Sequence, residues 1–410
     1  MSRSRTPLAP LVATGPALAP GGVWALTVGQ RVARVLLALL FLSALSTTLI
    51  PSGRALVRGA LLLPPLLWPD TAGVGVVGGE DVRHVAFAIP SANGIVSLDV
   101  YTPSGAPPPI PGARGAMLFI PGVGDNRTIP QLVNLATSLA RTGEVVMLMT
   151  TPTLIRYDLD PADRDAVVQA FERLAHWPGV GANRVGIVGF SGGGPLACLA
   201  AADPRIRDRV AFITMFGSYF DVRDYLRDIG RRAIIENGVL VPWHVSTVPL
   251  EVLANVLAPT LPVPDGQRLE AGFAFNDPNP LAASDVTLLS PAGQAAYHLL
   301  AGDQPERVDS NIAMLQPGAG NLLTQLSPSS LVSQIHAPIY LLHDRNDTSI
   351  PYTEASDFAA ALTRLRHPHD FLIFDIFDHT QVQSGLGPGK IVGDGILLVR
   401  ILVDMLSIGS

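Results

Sequence analysis

The stretch from Arg184 to Ala201 constrains the fold more than any other. It reads Arg-Val-Gly-Ile-Val-Gly-Phe-Ser-Gly-Gly-Gly-Pro-Leu-Ala-Cys-Leu-Ala-Ala. Val185 to Val188 is a short apolar run suited to a buried strand, and Leu196 to Ala201 is small and apolar, suited to a packed helix. Between them stands Gly189-Phe190-Ser191-Gly192-Gly193. A strand that reverses at once into a helix crowds its own backbone, so residues without a Cβ are expected around the corner. The corner side chain, Ser191, is thereby held out at the end of the sheet. It stands over the start of a helix, whose free N–H groups favour developing negative charge.

The flanking sequence repeats the strand–helix rhythm. Val82 to Ile89 and Ile95 to Tyr101 partly alternate and flank Ser91-Ala92-Asn93-Gly94, which predicts a hairpin. A loop rich in Pro and Gly follows over 103–114. Ala116 to Ile120 is a continuous apolar strand that ends in Pro121-Gly122-Val123-Gly124-Asp125, a loop rich in exposed backbone N–H. Thr128 to Arg141 is helical up to the stop at Gly143, and Val145 to Met149 is another buried strand. Asp160-Pro161-Ala162-Asp163 predicts a helix start, and that helix runs to about Ala175. Val210 to Phe216 is a strand. From there to about Gln334 prolines and helical patches alternate without a clear buried strand, as in a mainly helical insertion. Its Trp243, Phe273 and Phe275 either line a pocket or form the insertion's own core, and the core reading is preferred. Strand character resumes over Ala337 to Leu342. A helix is expected over Tyr352 to Leu365, a strand over Phe371 to Phe374 and an apolar helix over 391–407. Apolar strands alternating with helices predict a mostly parallel sheet covered on both faces, with the opening hairpin as an antiparallel edge.

Residues 1–80 are of another kind. An apolar run opens at Val35 and, counted with Val32, Ala33 and a snorkelling Arg34 before it, gives about nineteen residues that end at Ile50, close to one bilayer crossing. Arg3, Arg5, Arg31 and Arg34 precede it, and only Arg54 and Arg58 follow closely, a bias that predicts a cytoplasmic N-terminus and an exported remainder. A membrane anchor is therefore expected. A cleaved signal peptide, with Ala44-Leu45-Ser46 near its cleavage site, is the competing reading and would give a secreted protein. The patch from Gly59 to Trp68 is too short and too broken by proline to span; it either lies at the membrane interface or packs on the core. The net charge of −6 gives no electrostatic case for nucleic acid. Cys198 is the one cysteine, so no intrachain disulfide forms, and its place on an apolar helix face predicts a buried thiol.

Ser191 invites a question about its partners. A serine hydroxyl is a poor nucleophile until a base takes its proton, and a neutral imidazole does this near pH 7. The base in turn needs a carboxylate to fix its tautomer. Ser191, Asp347 and His379 occur in the chain order Ser, acid, His, each in a loop after an expected strand. In a parallel sheet such loops gather at one edge. Asp344 is a rival for the acid. His343, His367 and His369 are rivals for the base, although His343 precedes the acid and the other two lie before the last strand. His176, His244, His298 and His336 read as surface or satisfied core residues. No metal-ligand spacing occurs, and Gly192-Gly193-Gly194-Pro195 lacks the Lys of a phosphate loop, so neither metal nor cofactor is expected.

These residues resemble the α/β-hydrolase superfamily. The matching elements are Gly189-Phe190-Ser191-Gly192-Gly193, the acid loop Asp347-Thr348-Ser349-Ile350-Pro351 and the base loop Asp378-His379-Thr380. The resemblance selects Asp347 over Asp344, because the family's acid stands just before an x-x-[VI]-Pro element. It implies an oxyanion hole from the N–H groups of Val123 and Gly192, although the family's usual His-Gly is here Pro121-Gly122. The implied organisation is a leader over 1–80, hydrolase core over 81–221 and 336–410, and a mainly helical lid over 222–335. The implied activity is that of a serine esterase, lipase-like, acting on a small-molecule or lipid ester through an acyl-enzyme. A peptidase or amidase on the same fold is the alternative within enzymes. A binding protein that kept the fold and lost turnover is the alternative outside them.

Overall fold

The computed structural model describes residues 79–105, 114–276, 278–379, 381–382 and 388–408, together with Leu62. The apolar run ending at Ile50 lies outside the described residues, as do the patch around Gly59 to Trp68 apart from Leu62, and residues 106–113. Among the described residues no helix is long and apolar enough to cross a membrane.

Side-chain alternation decides which face each strand covers. Strands β1 (Val82–Ser91) and β2 (Gly94–Pro103) form the expected hairpin, with Ser91 opposite Gly94. In β3 (Arg114–Ile120), Ala116, Leu118 and Ile120 enter one apolar cluster, while Met117 and Phe119 enter a second on the opposite face. Strand β4 (Val145–Thr150) divides the same way, with Val145, Met147 and Met149 on one side and Val146 and Leu148 on the other. Such strands are apolar at odd and even positions because helices cover both faces. Fully burying a side chain such as Leu118 contributes roughly 1.5–3 kcal/mol. Helices α1 (Pro130–Arg141) and α10 (Pro388–Ile408) cover one face. Helices α2 (Asp163–Ala175), α3 (Gly193–Ala201) and α9 (Tyr352–Leu365) cover the other. Leu62 is fully buried in the same cluster as α1 and α10.

The remaining strands of the main sheet are β5 (Val180–Phe190), β6 (Val210–Phe216), β9 (Ile339–Asp344) and β10 (His369–Phe374). A separate ribbon pairs β7 (Ala233–Glu236) with β8 (Val239–Pro242). The eight-stranded sheet has the order β1-β2-β4-β3-β5-β6-β9-β10. It is antiparallel from β1 to β4 and parallel from β4 to β10. This is the α/β-hydrolase fold expected from the sequence.

Between β6 and β9 the chain makes α4 (Val222–Arg231), the β7–β8 ribbon, α5 (Thr247–Leu257), α6 (Val263–Phe273), α7 (Pro291–Ala301) and α8 (Val308–Leu326). Leu253, Leu269, Leu300 and Leu315 of these helices belong to the same buried cluster as Leu118, so the insertion shares the core of the sheet. The ribbon, exposed along most of β8, adds strands to a segment read as mainly helical without a clear buried strand. Its turn is Asn237-Gly238, with φ of 51° and 79°, the backbone that a two-residue hairpin requires.

One helix begins later than expected. Asp160 accepts the Ala162 N–H at 2.8 Å and so makes a turn, and α2 starts at Asp163. The Asp163 carboxylate is buried, where it takes the hydroxyls of Thr151 and Thr153. Asn93, in the β1–β2 turn, donates to both Asp160 (3.0 Å) and Asp163 (2.9 Å) and ties the hairpin to this helix start.

Candidate active site

The strand register places the chemistry. Ile120 pairs with Gly189, Phe190 with Phe216, Phe216 with Leu342, and Phe374 with Asp344. The parallel strands β3, β5, β6, β9 and β10 therefore end at one level, and the loops that follow them gather at one edge.

Ser191 leaves β5 with φ of 51°, in the left-handed region that non-glycine residues rarely occupy. Its N–H donates to Phe216 O at 2.9 Å, and its carbonyl accepts the Ser218 hydroxyl at 2.8 Å and the Gly194 N–H at 3.1 Å. The glycines are there for space. A Cβ on Gly193 would stand 2.1 Å from Ile120 O, and one on Gly189 would stand 2.5 Å from Gly193 O. The end of β3, the end of β5 and the start of α3 thus meet backbone against backbone.

The loop after β3 lies across the serine. Gly122 has φ of 84°, and a Cβ there would come 2.9 Å from Phe190 O and 3.1 Å from Ser191 Cβ. Asn126 Nδ2 donates to Val123 O at 2.7 Å, and the Gly124 N–H donates to Leu154 O at 2.7 Å. Val123 and Gly192 both line the cavity that holds Ser191. Among the described residues neither N–H is engaged in a hydrogen bond.

Asp347 and His379 are in contact. His379 Nδ1 lies 2.8 Å from Asp347 Oδ2, and the other oxygen, Oδ1, accepts the N–H groups of Ser349 (2.7 Å) and Ile350 (2.9 Å). The Asp347 side chain is fully buried, whereas His379 keeps 19% exposure on the cavity side. Burial alone would raise the Asp347 pKa. The charge of His379 and the hydrogen bonds from His343 and His379 outweigh it and hold the carboxyl below the usual range. Gly217, with φ of 57°, leaves room for this pair: a Cβ there would stand 3.1 Å from His379 Nδ1 and 3.2 Å from Asp347 Oδ2. Ser191 and His379 line one cavity with a volume of about 470 Å³. Among the described residues no direct hydrogen bond joins them. Hydrogen bonds of this kind are often long without substrate and tighten when it binds.

The rival residues have other tasks. Asp344 is buried, and its Oδ1 accepts the Asn346 N–H at 2.7 Å. His367 donates to Ala337 O at 2.8 Å, and His369 Nδ1 is 2.8 Å from His367 O, both where β9 and β10 begin. His336 pairs with Asp208 and His298 with Asp303 on the surface. Cys198 is buried beside Met215, and burial pushes its thiol far above the usual range. Among the described residues no group of three His, Cys, Asp or Glu is placed to hold a metal ion.

The insertion contributes what sequence reasoning missed. Trp243, read as core or pocket wall, donates its Nε1–H to the carbonyl of Asp347 at 2.9 Å. The Ser246 N–H donates to Thr348 O at 2.8 Å, and the Tyr225 hydroxyl donates to Ser349 O. The acid loop is therefore held from outside the sheet. Phe273 packs against the core and Tyr297, and Phe275 is 38% exposed and stacks on Tyr157. The apolar lining of the cavity comes instead from Val248, Pro249, Val252 and Leu253 of α5, together with Ile129 and Leu159. Tyr157, φ 57°, also faces the cavity, and Asn255 of α5 grips its carbonyl at 3.0 Å.

No protein-family profile matches the chain, and no curated protein matches it by sequence. Solved structures do. Dipeptidyl peptidase 4 of Porphyromonas gingivalis is 14% identical over 79% of this chain and 35% of its own, with a TM-score of 0.44. A puromycin-hydrolyzing peptidase of Mycobacterium tuberculosis is 15% identical over 81% of this chain and 40% of its own, at 0.46. Esterase B of Lactobacillus Rhamnosis is 15% identical over 83% and 90%, at 0.45. The chain thus spans well under half the length of both peptidases. Likeness at this level says nothing of substrate.

Proposed function

We propose that this protein is a serine hydrolase that cleaves carboxylic esters of uncharged, largely apolar acyl groups through an acyl-enzyme. The observation that carries the reading is the His379–Asp347 pair at 2.8 Å, with the imidazole and Ser191 opening into one cavity.

In this reading His379 Nε2 takes the Ser191 proton as Oγ bonds to the ester carbonyl carbon. The carbonyl π pair moves onto oxygen, which the Val123 and Gly192 N–H groups receive. Losing one such donor costs about 3–4 kcal/mol of transition-state stabilisation. The positive charge on His379 is stabilised by Asp347, which stays ionised. The tetrahedral adduct then collapses, the C–O bond to the alcohol breaks, and His379 returns its proton to the leaving oxygen. Water, deprotonated by His379, repeats the sequence and releases the carboxylic acid.

The lining favours esters over peptides with a free amino terminus. Among the described residues, those around the cavity carry no ionisable groups apart from His379 and the phenols of Tyr157, Tyr219 and Tyr225. A substrate ammonium would find no carboxylate there, and burying an unpaired charge is costly. The apolar wall from α5 suits an acyl chain, which is why the insertion is read as a lid. As part of the same proposal, residues 1–50 place the enzyme at a membrane or direct its export; fractionating cells that express chains with and without them tests this.

The deciding experiment compares wild type with Ser191→Ala. A fluorophosphonate probe labels wild type and not the variant, and p-nitrophenyl butyrate is turned over only by wild type. Absence of labelling in wild type leaves a binding protein. Faster cleavage of aminoacyl-amides than of esters moves the assignment to a peptidase.

A further inference from the structure

Strand β9 carries a histidine that the reaction above does not use. His343 stands four residues before Asp347, and both side chains are fully buried. Its Nε2 lies 2.9 Å from Ile350 O and 3.2 Å from Asp347 Oδ2. Both neighbours are acceptors, so the ring hydrogen sits on Nε2, and Nδ1 is the bare nitrogen. Nδ1 is buried and has no hydrogen-bond partner among the described residues. A leucine would fill a buried strand position without leaving a polar atom unmatched, so this imidazole calls for a reason.

We propose that His343 is a positioning residue for the acid of the Ser191–His379–Asp347 set, an inference that rests on the functional reading of that set. Ile350 is held at both ends of its residue: its N–H is taken by Asp347 Oδ1 and its carbonyl receives the His343 Nε2–H. One imidazole thereby closes the acid turn and sets the plane of the carboxylate that faces His379. Its Nε2–H dipole also lies against Oδ2, the oxygen that His379 uses. That contact moderates the pull of the carboxylate on the His379 proton.

Among the described residues Nδ1 finds no acceptor, so the site matches a ring that carries its N–H on Nε2. Among the described residues His379 and His343 act on the Asp347 carboxyl, and the Tyr225 phenol near it is kept protonated by burial.

The test replaces His343 by Leu and by Gln in the full chain, with active sites counted by fluorophosphonate labelling. His343→Leu is expected to lower kcat per labelled site by about 10–100-fold, by analogy with the loss of partners that orient metal-ligating side chains. KM stays within about twofold of wild type, because His343 does not line the cavity. The acid limb of the kcat/KM profile moves to higher pH, because a less moderated Asp347 holds the His379 proton more tightly. His343→Gln, which restores an N–H donor, recovers part of both effects. A merely structural role lowers the number of labelled sites and leaves the limb where it was. Wild-type kcat per site together with an unmoved limb overturns the proposal. If the Leu variant does not fold, nitrogen-15 spectra of wild type, assigned against His343→Gln, decide: a His343 ring that titrates between pH 5 and 9, or that carries its hydrogen on Nδ1, overturns it, and a ring fixed as Nε2–H upholds it. Wild type that fails to label removes the functional reading itself, an outcome separate from a labelled His343→Leu with normal kinetics.

Discussion

Asp347→Asn keeps the shape of the acid and removes its charge, and the hydrogen bonds around it dictate how the amide must lie. Oδ1 accepts two backbone N–H groups, from Ser349 at 2.7 Å and Ile350 at 2.9 Å. Oδ2 faces two ring nitrogens, His379 Nδ1 at 2.8 Å and His343 Nε2 at 3.2 Å. An amide offers one oxygen and one NH2. Turning the NH2 toward Ser349 and Ile350 would set donors against donors in a buried site. The oxygen therefore stays at Oδ1, and the NH2 points at His379. His379 must then accept at Nδ1 and carry its hydrogen on Nε2, the nitrogen that in the proposed mechanism receives the Ser191 proton. Forcing this tautomer lowers kcat by about 10⁴, or about 5 kcal/mol at 1.36 kcal/mol per decade. The assay is hydrolysis of p-nitrophenyl butyrate near pH 8, corrected for labelled sites. A thermal melt separates this from unfolding. The Asp347 carboxyl is held below its unfolded value, so its contribution to stability is present above about pH 4 and is lost as pH falls toward the folded pKa. The Asn variant lacks that acid-side slope. Turnover within tenfold of wild type would refute the reasoning and make Asp344, buried three positions earlier, the next acid to replace.

Two further outcomes follow from packing and charge. Gly193→Ala sets a methyl 2.1 Å from the Ile120 carbonyl, a backbone atom that cannot swing away. It is expected to lower stability by about 1–3 kcal/mol or more, read by denaturant unfolding, and an unchanged midpoint counts against the close approach of β3 and α3. Asp228, on α4, is pushed up to about 7, by burial first and then by the charge of Asp224. A raised folded pKa gives stability that is full below the unfolded value of about 4 and falls away as pH rises to 7. Asp228→Asn should therefore melt higher than wild type at pH 8 and close to it at pH 4, and equal melting at both pH values refutes the assignment.

How much of this could be read in advance depended on the range over which each constraint acts. The corner at Ser191 was legible because its geometry is local: a strand reversing into a helix needs glycines there whatever surrounds it, and the distances at Gly189 and Gly193 bear that out. Asp347 and His379 were legible at one remove. Strands apolar on both faces indicate a parallel sheet, and strands that run the same way release their following loops at one edge, however far apart these are in sequence. The β7–β8 ribbon was missed although its signal was present, Asn237-Gly238 between Ile234-Ile235 and Val239-Leu240, because prolines and helical patches dominate the surrounding sequence. Trp243 is a different matter. Its indole reaches the Asp347 carbonyl across 104 positions, and no periodicity in the sequence marks a side chain for a backbone atom so remote. The same holds for Tyr225, Ser246 and Asn255, which grip the acid loop and the cavity wall from the insertion. These contacts make the insertion more than a cover. The sheet brings the acid loop to the right edge, but Trp243, Ser246 and Tyr225 hold its carbonyls while His343 and the Asp347 carboxylate hold it from within. A displacement of the insertion would therefore disturb the His379–Asp347 pair together with the core that the insertion shares, so the order of the site and the placement of α4 and α5 are one structural variable.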